Sequence, residues 1–512
     1  MQPKKITIIG GGIAGLSAAY FAAKRAETDN IPLQITLLEA GDHWGGKIIT
    51  ERVTLDGGEF VIEGGPDTFL ATKPWGVALC RELGLSDRLH GTNPKPRKGK
   101  SQLAPTYVLH SGRLEPLPDG LAMMLPGKVM PMLTTRLLTW PQKARLGLDF
   151  ILPTRNGDED ESLGAFISRR LGRACYENLI EPLMSGIYAG DGDKLSLLST
   201  FPYLRDMERK YGSLARGAMA AYRQRMAKGT AAKHGSAQQG SRSAFLTPTT
   251  GLAEIVEALV AYLEAHNVDM RLGAKVRSLS VGWRVVLDSD EHLKADAVVL
   301  ATPAYVSGSL LRQVDAGLSA VLESIPYVST ATISLAYRQS DVPRPLDGYG
   351  YVIPRREGRR ALACTWTSTK FPHRAPEGYA LLRVFVGRAG QETEICWDED
   401  YLLEIARHEL NQTLGITAEP LVKRVFIWDR AMPQYNLGHL EKRAQIDAGV
   451  ARHPSLALAG NGYNGIGLPD CIHSGELAVQ RVLDYTKQIA APGDFCIFCG
   501  DKRRHHEHTE VN

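Results

Sequence analysis

The chain has 512 residues, more than one compact core organises, so two or three domains with large interiors are expected. Its 44% hydrophobic and 23% charged residues are those of a soluble globular protein, and 60 basic against 56 acidic side chains leave a net charge of +4 spread along the chain, which excludes a nucleic-acid-binding footprint. Seven cysteines, an odd number, make no disulfide framework, and neither the opening "MQPKKITIIG" nor any later stretch reads as a secretory signal or a membrane span, so a cytoplasmic protein without an integral membrane segment is expected.

Ile6 to Ile9 is a strand-length apolar run, and Gly10, Gly12 and Gly15 follow it in GxGxxG spacing, with Gly11, Ile13 and Ala14 between them. A strand, a tight turn and a helix are predicted. The first glycine allows the turn, the second lets the backbone approach a pyrophosphate, and the third lets helix and strand pack, while the helix amides face the phosphate charge. The next apolar strand, "ITLLEA", ends in Glu39 and Ala40, which places Glu39 to accept ribose hydroxyls; the polar insert "KRAETDNIPL" lengthens the usual spacing. Two more glycine clusters follow, "WGGKIIT" with Gly46 and Lys47, and "EGGPDTF" with Gly65, Pro66, Asp67 and Thr68, on either side of a short strand, Phe60 to Ile62. Paired glycines followed by a basic residue resemble the second phosphate-contacting element of the flavin amine oxidase superfamily. That resemblance implies FAD rather than a nicotinamide cofactor, with Lys47 as a point charge near the diphosphate.

The block "LPDGLAMMLPGKVMPMLTTRLLTW" (Leu117 to Trp140) is apolar but too often interrupted by Pro and Gly to span a bilayer. Core packing is expected for most of it, with Lys128, Arg136 and the methionines suited to a channel mouth or a transient membrane contact. "RNGDEDESL" reads as acidic compensation of a helix start, and the polar stretch Gln224 to Phe245 as a mobile connection. Leu252, Ile255, Val256, Leu259, Val260 and Leu263 recur at helical spacing, and buried strands follow at Val276 and in "ADAVVLATPA" (Ala295 to Ala304). Near the end, "LALAG" (Leu456 to Gly460) is a further buried strand. Gly465, Ile466, Gly467 and Leu468 then lead into a helix carrying Val479, Val482 and Leu483 on one face. This second strand, loop and helix start suits the far end of a long cofactor: helix amides beside the N1–C2=O edge of a flavin would stabilise its reduced form.

The blocks "GPDTFLATK" (Gly65 to Lys73), "NLIEPLMSGIYAGDGDKLSLLSTFPYLRDMERKYGSL" (Asn178 to Leu214), "WDRAMPQYNLGH" (Trp428 to His439) and "GLPDCIHSGELA" (Gly467 to Ala478) resemble the FAD-dependent porphyrinogen oxidases of haem biosynthesis. Among these the chain looks most like the bacterial coproporphyrinogen III oxidases and more distantly like the protoporphyrinogen oxidases, over residues 1 to 488. The resemblance implies a discontinuous Rossmann-like FAD-binding domain, α/β and α+β in class, built from residues 1–90, 245–305 and 436–488. It also implies a mainly helical substrate-side domain (91–223), a linker (224–244) and a mixed-sheet substrate domain (306–435). The implied reaction is oxidation of a porphyrinogen by molecular oxygen with release of peroxide, the chemistry lying mainly on the flavin, so no catalytic side chain and no metal are assigned. By the same resemblance Val276 lies at the adenine, Trp428, Gly460, Ile466, Gly467 and Leu468 at the cofactor, Lys73 at the propionate rim, and Gly186 and Ile187 on the reaction face. Handover of the product to a chelatase of the pathway is a further implied partnership. The last residues, 489–512, fall outside the resemblance; Cys496, Cys499, His505, His506 and His508 there are read as an appendage rather than a metal site.

Overall fold

The computed structural model describes residues 3–93, 105–118, 121–122, 125–126, 128–231, 243–392 and 395–490. The five tail residues just named, Cys496 to His508, lie outside them.

Three distant stretches of the chain meet in one five-stranded sheet. Its strands run in the order Asp269–Arg271, Leu33–Leu38, Lys4–Ile9, Ala297–Leu300, Leu456–Leu458, all pairs parallel, with Ile6 flanked by Ile35 and Ala297, and Val299 by Ala457. Parallel strands need helices over both faces, which is why they read as unbroken apolar runs. Side chains alternate between two cores. Ile8 packs with Leu16, Leu259 and Val479 of the helices Ile13–Thr28, Ala253–Ala265 and Leu468–Ala490. Its neighbour Ile9 packs on the opposite face with Leu310, Leu318 and Val450.

A second sheet of seven strands carries the other half of the molecule, in the order Val422–Pro433, Tyr327–Arg338, Tyr379–Val386, Ala361–Trp366, Gly350–Val352, Thr106–His110, Arg113–Pro116. It is antiparallel except where Gly350–Val352 meets Thr106–His110. The helix Glu399–Leu414 covers one face, with Leu402, Ala406 and Leu410 against Ile333, Leu335 and Leu382. Thr106–Pro116, expected within the helical segment, joins this sheet instead. Tyr107, Val108 and Leu109 are buried in a row, as a strand covered on both faces requires.

The third core is helical and gathers Phe166, Ile167, Leu179, Met184, Tyr188 and Leu204. Inside it the chain tightens through a π-helical turn, Tyr176–Ile180, directly before the helix Glu181–Tyr188. Such turns recur where a helix is re-aimed at a functional site. The last helix of this region continues to Ala231, so the first part of the expected linker, "QRMAKGTA", is helical: Gln, Arg, Met, Ala and Lys favour helix although they carry no apolar period. Ile489 and Ala490 likewise complete the final helix rather than open the tail. Among the described residues no helix is long and apolar enough to cross a membrane.

Candidate functional site

The first glycine loop is built as its spacing predicts. Gly10 has φ +109°, a conformation that L side chains rarely adopt, and a Cβ on Gly15 would overlap the Gly10 carbonyl oxygen. Gly12, in contrast, has nothing within 4 Å of its missing Cβ, so the middle of the loop faces open space. Glu39 at the end of the second strand accepts the Gly11 amide at 2.5 Å on Oε2 and the Gly41 amide at 2.7 Å on Oε1. Each oxygen keeps a further acceptor site for a diol. Ala40 follows it, and the amides of Gly273 and Ala274 donate to Gly41 and Glu39, which brings Val276 beside this end of the loop.

The paired glycines lie across the same loop: the Gly45 amide donates to the Gly11 carbonyl at 2.8 Å, and Gly46 stacks on Gly12. Lys47 then turns inward. Its ammonium donates to the Ala431 carbonyl and has no carboxylate partner among the described residues, and burial pushes it down from the usual lysine range to about 8. A half-buried cation next to an open glycine loop fits an anionic diphosphate.

The second loop enters from the other end of the chain. Gly460, after the edge strand, donates its amide to Ser474 Oγ at 2.9 Å, and Gly467 donates to Asp470 Oδ2 at 3.2 Å, which fixes the entry to the final helix with Ile466 and Leu468. Tyr435 clamps the loop through its hydroxyl to the Asn461 carbonyl at 2.5 Å. The final helix lies directly on the first helix at Gly475, whose missing Cβ would come within 2.5 Å of the Ala14 carbonyl oxygen. The first turn of the first helix therefore lies directly against the final helix two turns after its start.

Gly65 and Pro66 form the third wall. A Cβ on Gly65 would overlap the Lys47 carbonyl oxygen, Trp428 Nε1 donates to the Gly64 carbonyl at 2.9 Å, and Arg383 donates to the carbonyls of both glycines. Asp67 and Thr68 are committed to local contacts: Thr68 Oγ1 donates to Asp67 Oδ1 at 3.0 Å, and Lys370 Nζ to Asp67 Oδ2 at 2.9 Å. Although burial works against it, the nearby Lys370 and Arg383 charges hold the Asp67 carboxyl well below its ordinary range.

Lys73 precedes the helix Pro74–Glu82, and its Nζ stands 2.6 Å from both oxygens of Asp470 in the first turn of the final helix. Gly186, on the helix Glu181–Tyr188, has no atom within 4 Å of its missing Cβ, and Ile187 beside it is 47% exposed although apolar. That helix ends at Tyr188, whose carbonyl accepts Gln434 Nε2 at 2.9 Å and which shares a core with Tyr435 and Ile466. Lys73 thus meets the start of the final helix, and the helix that carries Gly186 and Ile187 ends at Tyr188 close to the preceding loop. Asp470, Gln434, Tyr435, Lys370 and Arg383 were not predicted; Asp470, Gln434 and Tyr435 stand inside quoted motifs, but nothing in their local spacing announces the partners of Asp470 and Gln434, hundreds of residues away, or that of Tyr435, 26 residues on. Among the described residues no cluster of His, Cys, Asp and Glu suits a metal.

Residues 13–483 match the profile of the flavin containing amine oxidoreductases. The chain is 37% identical to the coproporphyrinogen III oxidase of Bacillus subtilis over 94% of its own length and 98% of the relative's. It is 28% identical to the chloroplastic protoporphyrinogen oxidase of Nicotiana tabacum, over 94% and 86%. The crystal structure of cyclohexylamine oxidase from Brevibacterium oxydans shares the fold, with TM-score 0.63 and 16% identity, 95% of this chain being covered and 100% of that one. A glycine loop with open space at its middle, a second strand, loop and helix from the far end of the chain in the same sheet, and a match over almost the whole chain agree: this protein belongs to the flavin-containing amine oxidoreductase family, with FAD as its cofactor.

Proposed function

We propose that the chain oxidises coproporphyrinogen III to coproporphyrin III with molecular oxygen as the final acceptor. The substrate gives up six hydrogens in three two-electron rounds, and three molecules of oxygen leave as hydrogen peroxide. The observation that carries the reading is the likeness to the Bacillus subtilis enzyme over 94% of the chain; Lys73 held at the start of the final helix and the open backbone at Gly186 support it. FAD, when bound, supplies the hydride acceptor.

The chain's own residues do the rest. Gly12 and Lys47 take the diphosphate, Glu39 and the Val276 segment the adenosine end, and Gly460 through Leu468 the ring end. The bare backbone at Gly186 and the exposed side chain of Ile187 offer a flat apolar surface on which the macrocycle can lie close to the ring. Lys73 meets a propionate at the rim, exchanging one carboxylate partner, Asp470, for another or sharing between them. No side-chain acid or base is needed for hydride departure; each round also releases one proton to solvent, two of the three from pyrrole nitrogens and one from the fourth bridging carbon after tautomerisation.

Comparing initial rates on coproporphyrinogen III and protoporphyrinogen IX by porphyrin fluorescence, with peroxide measured in parallel, tests the reading. Faster turnover of the tetracarboxylate is expected, and a preference for protoporphyrinogen IX would select the second reading, which the Nicotiana tabacum relative favours.

The reading includes a reducing, cytoplasmic setting, in keeping with the free, buried thiols of Cys80, Cys175, Cys364 and Cys471, and delivery of product to a chelatase. It also includes transient contact with an anionic lipid surface through one patch. Val129, Met130, Leu133 and Trp140 are exposed there, at 54%, 68%, 42% and 71%, among Lys128, Arg136 and Lys143. Core packing, expected for most of this block, holds for Met132, Leu137 and Leu138. Sedimentation with phosphatidylglycerol vesicles, lost in high salt or in M130E/W140E, is the expected outcome.

A further inference from the structure

A small, partly open cavity of about 10 Å³ lies behind the turn Gly64–Asp67. Its walls include Glu63, Asp67, Ser334, Phe371, Arg374 and Arg383. Charge around it does not balance. Arg374 Nη1 stands 2.8 Å from Glu63 Oε1, and Lys370 Nζ 2.9 Å from Asp67 Oδ2, so these two cations are matched. Arg383 is the third. It is 3% exposed, its Nη2 donates to the Gly64 carbonyl at 3.2 Å and to that of Gly65, and no carboxylate pairs with it among the described residues. Moreover, the Nε–H groups of Arg374 and Arg383 are both buried and both without an acceptor. An unpaired buried guanidinium is costly, and an N–H without an acceptor adds to the cost.

We propose that this cavity is a binding site for one small monovalent anion of halide size, held by the free Nε–H groups of Arg374 and Arg383. A water molecule would satisfy the N–H groups but leave the surplus charge. Sulfate, phosphate and carboxylates exceed the space. Bound there, the anion neutralises Arg383 while leaving its two carbonyl contacts intact, and so steadies the turn that forms one wall of the cofactor cradle.

The test uses the FAD-loaded full chain. Crystals soaked in sodium bromide and measured above the bromine edge are expected to show an anomalous peak between Arg374 and Arg383. Water-sized density there without anomalous signal, or bromide confined to surface lysines, overturns the proposal. In solution, replacing gluconate by chloride at constant ionic strength is expected to raise the melting temperature of the wild type saturably, by about 2 °C, and to leave R383M unmoved. A wild type with the same melting temperature in both salts overturns it without recourse to the variant.

Discussion

Gly475 meets Ala14 with no room for a methyl group: a Cβ on Gly475 would stand 2.5 Å from the Ala14 carbonyl oxygen and 2.9 Å from the Ala18 amide nitrogen. Both near atoms are backbone, so neither can swing aside. G475A must therefore push the last helix off the first, at a cost of about 1–3 kcal/mol. Thermal melts should fall accordingly. Because the same contact holds the final helix against the helix that follows the first glycine loop, G475A should also release FAD more readily, read as free flavin fluorescence in the filtrate. Full FAD retention with a lowered melting temperature would separate packing from cofactor grip.

Lys47 makes FAD binding pH-dependent. With its ammonium at about 8 in the free protein, it is charged below that pH, and the diphosphate favours the charged form. Affinity is then flat below about pH 8 and falls above it, approaching tenfold per pH unit for one coupled proton, until the raised value in the complex is passed. K47M should bind weakly at every pH and lose the break. Stability of the apoprotein runs the opposite way. A lysine depressed on folding binds its proton more weakly folded than unfolded, so stability rises between about pH 8 and the unfolded value of 10.5, by up to about 3 kcal/mol. Urea melts of apoprotein across that range check the sign.

Lys73 discriminates by carboxylate count. K73A should raise KM for coproporphyrinogen III by about tenfold, the loss of one charge-assisted contact, and affect protoporphyrinogen IX less. Equal loss on both would remove Lys73 from the rim. D470N, which frees the lysine from its partner 2.6 Å away, is expected to shift KM in the other direction.

Gly186 trades stability for access. It sits in a helix, where Ala is favoured by roughly 0.5–1 kcal/mol, and its missing Cβ points to open space. G186A should therefore melt higher and turn over more slowly, and G186L should lose turnover by more than about tenfold with an unchanged flavin spectrum. A fully active G186L would move the reaction face elsewhere.

The glycine loops and the strands behind them were legible because each is a local pattern. A strand buried on both faces must be continuously apolar, as Ile6–Ile9 and Ala297–Leu300 are, and a loop that touches phosphate must be bare, as Gly10–Gly15 is. What escaped was pairing at long range. Lys73 and Asp470 are 397 residues apart, and neither local sequence carries a sign of the other. Arg383 in "ALLRVFVGR" has the look of a charge on an exposed strand face, yet it is buried, because the turn Gly64–Asp67 folds over it. Helix propensity without an apolar stripe hid the continuation from Gln224 to Ala231, and an apolar run of three residues, too short to tell a buried strand from a helix, hid Thr106–Pro116.

The strand Leu456–Leu458 completes a sheet begun by Lys4–Ile9, and this dictates an order of events during synthesis. While the ribosome is still making the middle of the protein, Ala297–Leu300 offers an unclaimed edge and the first helix an uncovered flank. Nascent chains shorter than about 480 residues are thus expected to need a chaperone and to emerge colourless, and yellow product should appear only after release of the full-length polypeptide.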